Sequence, residues 1–207
     1  MLDSLRPVSF RVRPARSLAD FWSVARLHRR CFYPGASGPL ALFLEWDRAM
    51  GLQLSTSFPP NSPASSPAGL RSVCLLAETA SQDVVATTAL ECGEDRFPRR
   101  TLAAFLSALP PRGAKLAYLS SLSVAPELRR KGVARQLLAE AESTAGRWGC
   151  RSVALHVDCD DVGAQALYQR AGYRSVSVEP LWAPALNLRR VRLRLMIRRL
   201  ERSISVL

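Results

Sequence analysis

Val124-Ala-Pro-Glu-Leu-Arg-Arg-Lys-Gly-Val-Ala134 is the stretch that decides the fold. Ahead of it, Leu119, Leu122 and Val124 read as a buried strand, with Pro126 marking its exit. Behind it, Val133, Leu137, Leu138 and Ala141 recur at helical spacing, with Arg135, Glu140 and Glu142 mostly on the opposite side. A strand, a short basic loop and a helix opening on Gly132 make an anion site. The free N–H groups of the first helical turn and the positive end of the helix dipole converge on one place, and a glycine lets a phosphate approach the backbone. Arg129, Arg130 and Lys131 add positive charge, which points to a pyrophosphate; the plain alternative is a solvated basic turn.

The spacing Arg129-x-x-Gly132-x-Ala134 is neither a G-x-x-x-x-G-K-S/T phosphate loop nor a G-x-G-x-x-G dinucleotide fingerprint. It resembles the acetyl-CoA signature of the GNAT acetyltransferase superfamily, Arg/Gln-x-x-Gly-x-Gly/Ala, which cradles the coenzyme's pyrophosphate. A second stretch agrees. Ser152 to Val157 alternates and carries β-branched residues, so it reads as a strand. Asp161-Val-Gly-Ala-Gln-Ala-Leu-Tyr168 then starts a short helix, with Asp160 or Asp161 as N-cap and Gly172 as its stop. This is similar to the GNAT pattern Asn-x-x-Ala-x-x-Leu-Tyr-x-x-x-Gly-Phe/Tyr, with Ala164, Leu167, Tyr168, Gly172 and Tyr173 in register. Asp161 stands where the family has Asn, and a carboxylate can accept hydrogen bonds but not donate them.

The resemblance implies an α/β fold, a mixed twisted β-sheet flanked by helices on both faces, in one domain over residues 1–207. It implies acetyl-CoA as co-substrate. On this likeness Leu122, Ser123 and Val124 bond the pantetheine arm and offer an N–H to the thioester oxygen. Arg129, Arg130, Lys131, Gly132, Val133, Ala134 and Arg135 hold the pyrophosphate, and Asp161, Val162, Gly163 and Tyr168 complete the coenzyme contacts. Tyr168 is the candidate general acid, since a phenol of ordinary pKa ~10 can protonate a thiolate. His156 is the candidate base, at a place where N-terminal acetyltransferases of this fold often carry Glu. Asp158, on the same strand face, is the alternative; Glu127 falls in the exit loop.

Further matches at Arg13-Pro-Ala-Arg16, Phe21-Trp22, Cys31-Phe32-Tyr33-Pro34, Trp148-Gly-Cys150-Arg151 and Leu155-His-Val-Asp158 resemble the plastid-type GNAT enzymes of plants and algae. That likeness implies acetylation of protein N-termini and lysine side chains and an address in the chloroplast stroma, with the cytoplasm as alternative. A small-molecule amine acetyltransferase is the rival within the fold.

Bulk properties bound these readings. The chain has 207 residues, 48% of them hydrophobic, enough for a proper core. No apolar run approaches the ~20 residues that span a bilayer, so no membrane partner is expected. The net charge of +12 is almost all arginine. It admits nucleic acid, an anionic cofactor or acidic partners, but the aromatic interleaving of single-strand binders is missing, so nucleic acid is not expected. Arg189, Arg190, Arg192, Arg194, Arg198, Arg199 and Arg202 crowd the C-terminus; Arg192 and Arg194 alternate with Val191, Leu193 and Leu195 as on the wet face of an edge strand, the alternative being a substrate- or partner-steering patch. Cys31, Cys74, Cys92, Cys150 and Cys159 form no C-x-x-C pair and read as scattered reduced thiols, so no metal is expected. Cys159 is not needed as a nucleophile, because direct transfer has no covalent enzyme intermediate. His28 reads as a helix residue near the surface.

Elsewhere, strands are expected at Phe10 to Pro14, Ser72 to Glu78, Val84 to Cys92, Ser175 to Val178 and Val191 to Arg198. Helices are expected from Ser17 to about Cys31 and over 39–54. Residues 55–69 read as a low-complexity mobile loop and 93–113 as a polar insertion with a helix at 102–109. Only Met1 to Val8 precede the first strand, too few for an import peptide; either the protein is not imported or this chain is shorter than its precursor.

Overall fold

The computed structural model describes residues 10–42, 45, 49, 71–92, 115–181 and 191–200. Strand β1 (Phe10–Pro14) leads into helix α1 (Leu18–Phe32) and strands β2 (Arg71–Thr79), β3 (Val84–Cys92) and β4 (Leu116–Val124). A 3-10 turn at Pro126–Leu128 precedes helix α2 (Val133–Arg147). Then come β5 (Ser152–Asp158), α3 (Val162–Arg170), β6 (Arg174–Leu181) and β7 (Val191–Arg199). The seven strands make one sheet in the order β1-β2-β3-β4-β5-β7-β6. It is mixed: β4 and β5 run parallel, while β1–β2, β5–β7 and β6–β7 are antiparallel. A parallel neighbour requires a crossover, and α2 supplies it.

Each expected strand and helix in the described regions forms within a few residues of its expected ends. Residues 38–42, 45 and 49 are helical, starting one residue before the helix expected over 39–54; the rest of that helix, the loop 55–69 and the insertion 93–113 with its helix lie outside the described residues.

Two compact units divide the chain, one of residues up to Glu91 with Ser121–Ala141, the other of Cys92–Ser120 with Glu142 onward. In the first, α1 buries Phe21, Val24 and Ala25 against Cys74 and Leu76 of β2. The helix starts where it does because Ser17 and Asp20 form a capping box: Ser17 Oγ accepts from the Asp20 amide (3.1 Å) and Asp20 Oδ2 from the Ser17 amide (3.0 Å). Arg13 clamps Asp20 (2.8 Å) and Glu78 (2.7 Å), and its guanidinium holds the Asp20 carboxyl well below the usual carboxylate range, burial opposing.

In the second unit, Leu116, Ala154, Leu195 and Ile197 cluster with Tyr118 and Val176. On β5, Val153, Leu155 and Val157 are buried too, so this strand is covered on both faces, as its near-continuous apolar run requires. Two sequence expectations are corrected here. β7 is not an edge strand: it lies between β5 and β6, and β6 takes the edge. Glu142 is not on the wet side of α2: its carboxylate accepts from Arg198 Nη1 at 2.6 Å with its side chain 11% exposed, and burial raises its pKa in spite of that arginine. Helical periodicity placed Glu142 by angle alone, whereas Arg198 on β7 gives it a charged partner.

Candidate active site

The basic loop is a built backbone device. Arg130 (φ 64°) and Gly132 (φ 84°) both take left-handed conformations, turning the chain twice between the 3-10 turn and α2. The first bond of α2 runs from the Gln136 N–H to the Gly132 carbonyl at 3.1 Å. The amides of Gly132, Val133, Ala134 and Arg135 therefore precede any intrahelical bond and carry the positive end of a 15-residue helix. A Cβ built on Gly132 would meet nothing within 4 Å, so glycine is required here by the backbone angle and the room above it, not by packing. Arg129, Arg130, Lys131 and Arg135 are exposed. Arg129 is partly committed, its Nε donating to the Val124 carbonyl at 3.3 Å. The Val133 side chain is buried, which anchors the helix and leaves only its amide as a binding group.

Strand β4 changes character along its length. Its parallel ladder with β5 pairs Leu116–Leu119 with Ser152–Leu155 and stops there, although β4 continues to Val124. Ser121 then adopts φ 57°, an uncommon conformation for serine inside a strand. The Ser123 hydroxyl donates to the Ser121 carbonyl at 3.2 Å and steadies this irregular segment. The Val124 carbonyl also accepts from Cys31 Sγ (3.4 Å). A strand released from its partner and bent at one residue offers main-chain groups that a regular ladder would consume.

In the second unit, the Tyr118 hydroxyl and His156 Nδ1 are 2.9 Å apart, the rings tilted with centroids at 5.8 Å. Tyr118 on β4 is in register with Ala154 on β5, so His156, two residues on, shares its face. Tyr168 on α3 is 6% exposed and packs edge-to-face on Tyr173 at 5.7 Å. Burial pushes its phenol up, and the charge of Asp161 and the neighbouring Tyr118 add to that. Tyr168 thus stays protonated throughout the ordinary pH range.

Asp161 caps α3, its Oδ1 accepting from the Ala164 amide at 2.8 Å, so the carboxylate does for the helix what the family's Asn would also do. Val162 and Gly163 follow it on the surface, Val162 at 74% exposed. Asp158, the alternative base, is drawn into the turn after β5, with Oδ1 accepting from the Asp160 amide (2.9 Å). Glu127 is exposed and paired with Arg30 at 3.2 Å; its own amide and that arginine hold its pKa below the usual value. Tyr118 was the residue that sequence reasoning missed. Its only sequence signal is a tyrosine at an inward position of β4, and its partner depends on a register no single strand reveals. Among the described residues no group of three or more His, Cys, Asp or Glu is placed to hold a metal ion.

Comparison with known proteins gives these features a context. A family profile described as "Acetyltransferase (GNAT) family" matches residues 72–173. The chain is 33% identical over 190 residues to "GCN5-related N-acetyltransferase 4, chloroplastic" of Arabidopsis thaliana, covering 81% of this chain but 61% of that protein's length. It is 39% identical over 66 residues to the chloroplastic GCN5-related N-acetyltransferase 7 of the same plant, 32% of this chain and 24% of that protein. Among solved structures, Arabidopsis thaliana NAA60 in complex with a bisubstrate analogue superposes with TM-score 0.65 over 94% of this chain and 100% of that one, at 17% identity. A phosphinothricin acetyltransferase from Sinorhizobium meliloti with acetyl-CoA gives TM-score 0.62 over 92% and 88%, at 19% identity. These structural likenesses speak for the fold.

Proposed function

Because the chain carries a GNAT-family acetyltransferase domain, we propose that it transfers acetyl from acetyl-CoA to protein amines, both N-terminal α-amines and lysine ε-amines. Transfer is by direct attack of the amine in a ternary complex. The observation that carries the reading is the row of amides from Gly132 to Arg135 at the head of α2, with open space at Gly132. A diphosphate fits that cradle by charge and by hydrogen-bond direction.

Acetyl-CoA supplies the acyl group already activated as a thioester; the chain's own residues do the rest. The amides of residues 132–135, with Arg129, Arg130, Lys131 and Arg135, would bind the diphosphate. The main chain of Leu122 and Ser123, with the Val124 amide, would take the pantetheine arm and place one N–H where negative charge develops. The Tyr118–His156 pair handles the amine proton. A hydroxyl that can donate or accept lets the imidazole and phenol pass a proton between them, while their hydrogen bond fixes the ring. Tyr168, held neutral by burial, donates to the departing sulfur. With its pKa above that of an ordinary thiol (~8.5), it acts mainly by hydrogen bonding, with Asp161, Val162 and Gly163 flanking it.

The protein-acceptor reading rests on the likeness to the plastid-type GNAT enzymes; the Arabidopsis relatives, named chloroplastic, support the chloroplast as the address, its stroma being our own reading. The phosphinothricin acetyltransferase has the same fold at a similar TM-score, so a small amine is the second reading. The test is incubation with acetyl-CoA and, in parallel, a peptide library with free N-termini and lysines and a panel of small amines, read by mass spectrometry. Acetylated peptides support the proposal. Acetylation confined to small amines replaces the acceptor class, and no transfer by folded protein rejects the activity.

A further inference from the structure

Cys92 and Cys150 lie 58 residues apart in sequence, yet their sulfurs are 2.7 Å from one another, and both residues are buried at 3% and 5% exposure. Two non-bonded thiols do not ordinarily approach so closely, and a disulfide needs only a further closure to about 2.0 Å. We propose that Cys92 and Cys150 are a dithiol–disulfide couple, a modification site that closes on oxidation by peroxide. The other cysteines are placed differently: Cys31 Sγ donates to the Val124 carbonyl, and Cys74 Sγ lies against Thr87 Oγ1.

The backbone brings the two together by design of the turn. Gly149 sits at φ 80° after α2, and the Cys150 amide donates back to the Ala145 carbonyl at 3.0 Å, a helix C-terminal motif that fixes Cys150. The next residue is held too, the Arg151 amide donating to the Lys115 carbonyl at 2.9 Å. Cys92 is the last residue of β3. A bond between them would tie the end of β3 to the turn before β5. The covalent ring would enclose β4, the basic loop and α2, the segment proposed above to bind the diphosphate.

The chemistry balances with hydrogen peroxide as oxidant. One thiol loses its proton, and its sulfur attacks the peroxide O–O bond, giving a sulfenic acid and water. The second thiol's sulfur then displaces hydroxide from that sulfenic sulfur, and hydroxide takes up the released proton as a second water. Two thiols and one peroxide become one disulfide and two waters. Buried sulfurs are reached through local opening of the α2–β5 turn, a short surface segment, by an oxidant of two heavy atoms. Reduction by dithiothreitol reverses the change.

The site is independent of the acetyltransferase reading, and so is its test. The full chain is treated with equimolar peroxide, unfolded, alkylated and digested. The expected result is loss of two of its five titratable thiols, a cross-linked peptide pair containing Cys92 and Cys150, and a melting temperature raised by several degrees until dithiothreitol is added. Cys150→Ser and Cys92→Ser should each abolish the cross-link and the shift. The proposal is overturned if all five thiols still react, or if the cross-link forms between other cysteines. It is also overturned if Cys150→Ser, shown folded by circular dichroism, keeps the thermal shift.

Discussion

Replacing Tyr118 by Phe removes one hydroxyl and keeps the ring that packs with Leu116, Ala154, Leu195 and Ile197. The lost interaction is the 2.9 Å bond to His156 Nδ1. A half-buried bond of this kind contributes about 0.5–1.5 kcal/mol net, which for a chain of this size shifts Tm by only a few degrees. The kinetic effect should be larger. A positioned base contributes about 10²–10⁴ in rate, and a histidine that has lost its orienting partner keeps its chemistry but not its aim. A loss of about 10- to 100-fold in kcat is expected, about 1.4–2.7 kcal/mol of barrier, with acetyl-CoA affinity unchanged. The decisive assay is a double-mutant cycle with His156→Ala, measured as kcat/KM on a peptide acceptor with a free amine across pH 6–10. If the two act as one unit, the double variant falls no further than the worse single variant. Losses that simply multiply, or an unchanged pH profile in Tyr118→Phe, would refute the pairing.

Gly132→Val puts a side chain at φ 84°, where an L-residue pays about 1–2 kcal/mol, and fills the open space above the loop. Calorimetry should show acetyl-CoA binding weakened at least tenfold in protein that still folds; retained affinity counts against the diphosphate site. Tyr168→Phe should lower turnover by about 10- to 100-fold while leaving acetyl-CoA dissociation as it was, and an unchanged rate removes its donor role. Asp20→Asn tests the Arg13 clamp. Because the folded pKa of Asp20 is depressed, its contribution is present above the unfolded pKa near 3.9 and fades as pH falls through and below that value. The variant should be less stable at pH 7 by about 1–3 kcal/mol, after discount for partial exposure of Arg13. Denaturant titrations at pH 7 and pH 2 should show the gap narrowing in acid; a constant gap means the charge is not what matters.

Much of the framework was legible from local pattern. The Arg129-x-x-Gly132-x-Ala134 spacing marked the loop because a glycine at a helix start answers a backbone need, and Gly132 takes φ 84°. Ser17 marked the first helix, through a side chain that satisfies the Asp20 amide only three residues away. Strand β5 showed in its β-branched residues. These are interactions among neighbours in sequence, so the sequence carries them.

What needed the tertiary structure is pairing over distance. Sequence put His156 on a strand as a candidate base but gave it no partner; only the parallel register of Leu116–Leu119 with Ser152–Leu155 sets Tyr118 beside it. Helical angle put Glu142 in water until Arg198 on β7 met it, and the arginine-rich β7 looked like an edge until β6 took the outer place. Cys92 and Cys150 carried no spacing signal at all, because a contact 58 residues apart leaves no periodic trace. Sequence alone determined the local devices, the basic glycine loop and the helix caps. The three-dimensional arrangement of strands decided which chemical groups share a face, since register and strand order are properties of the whole sheet.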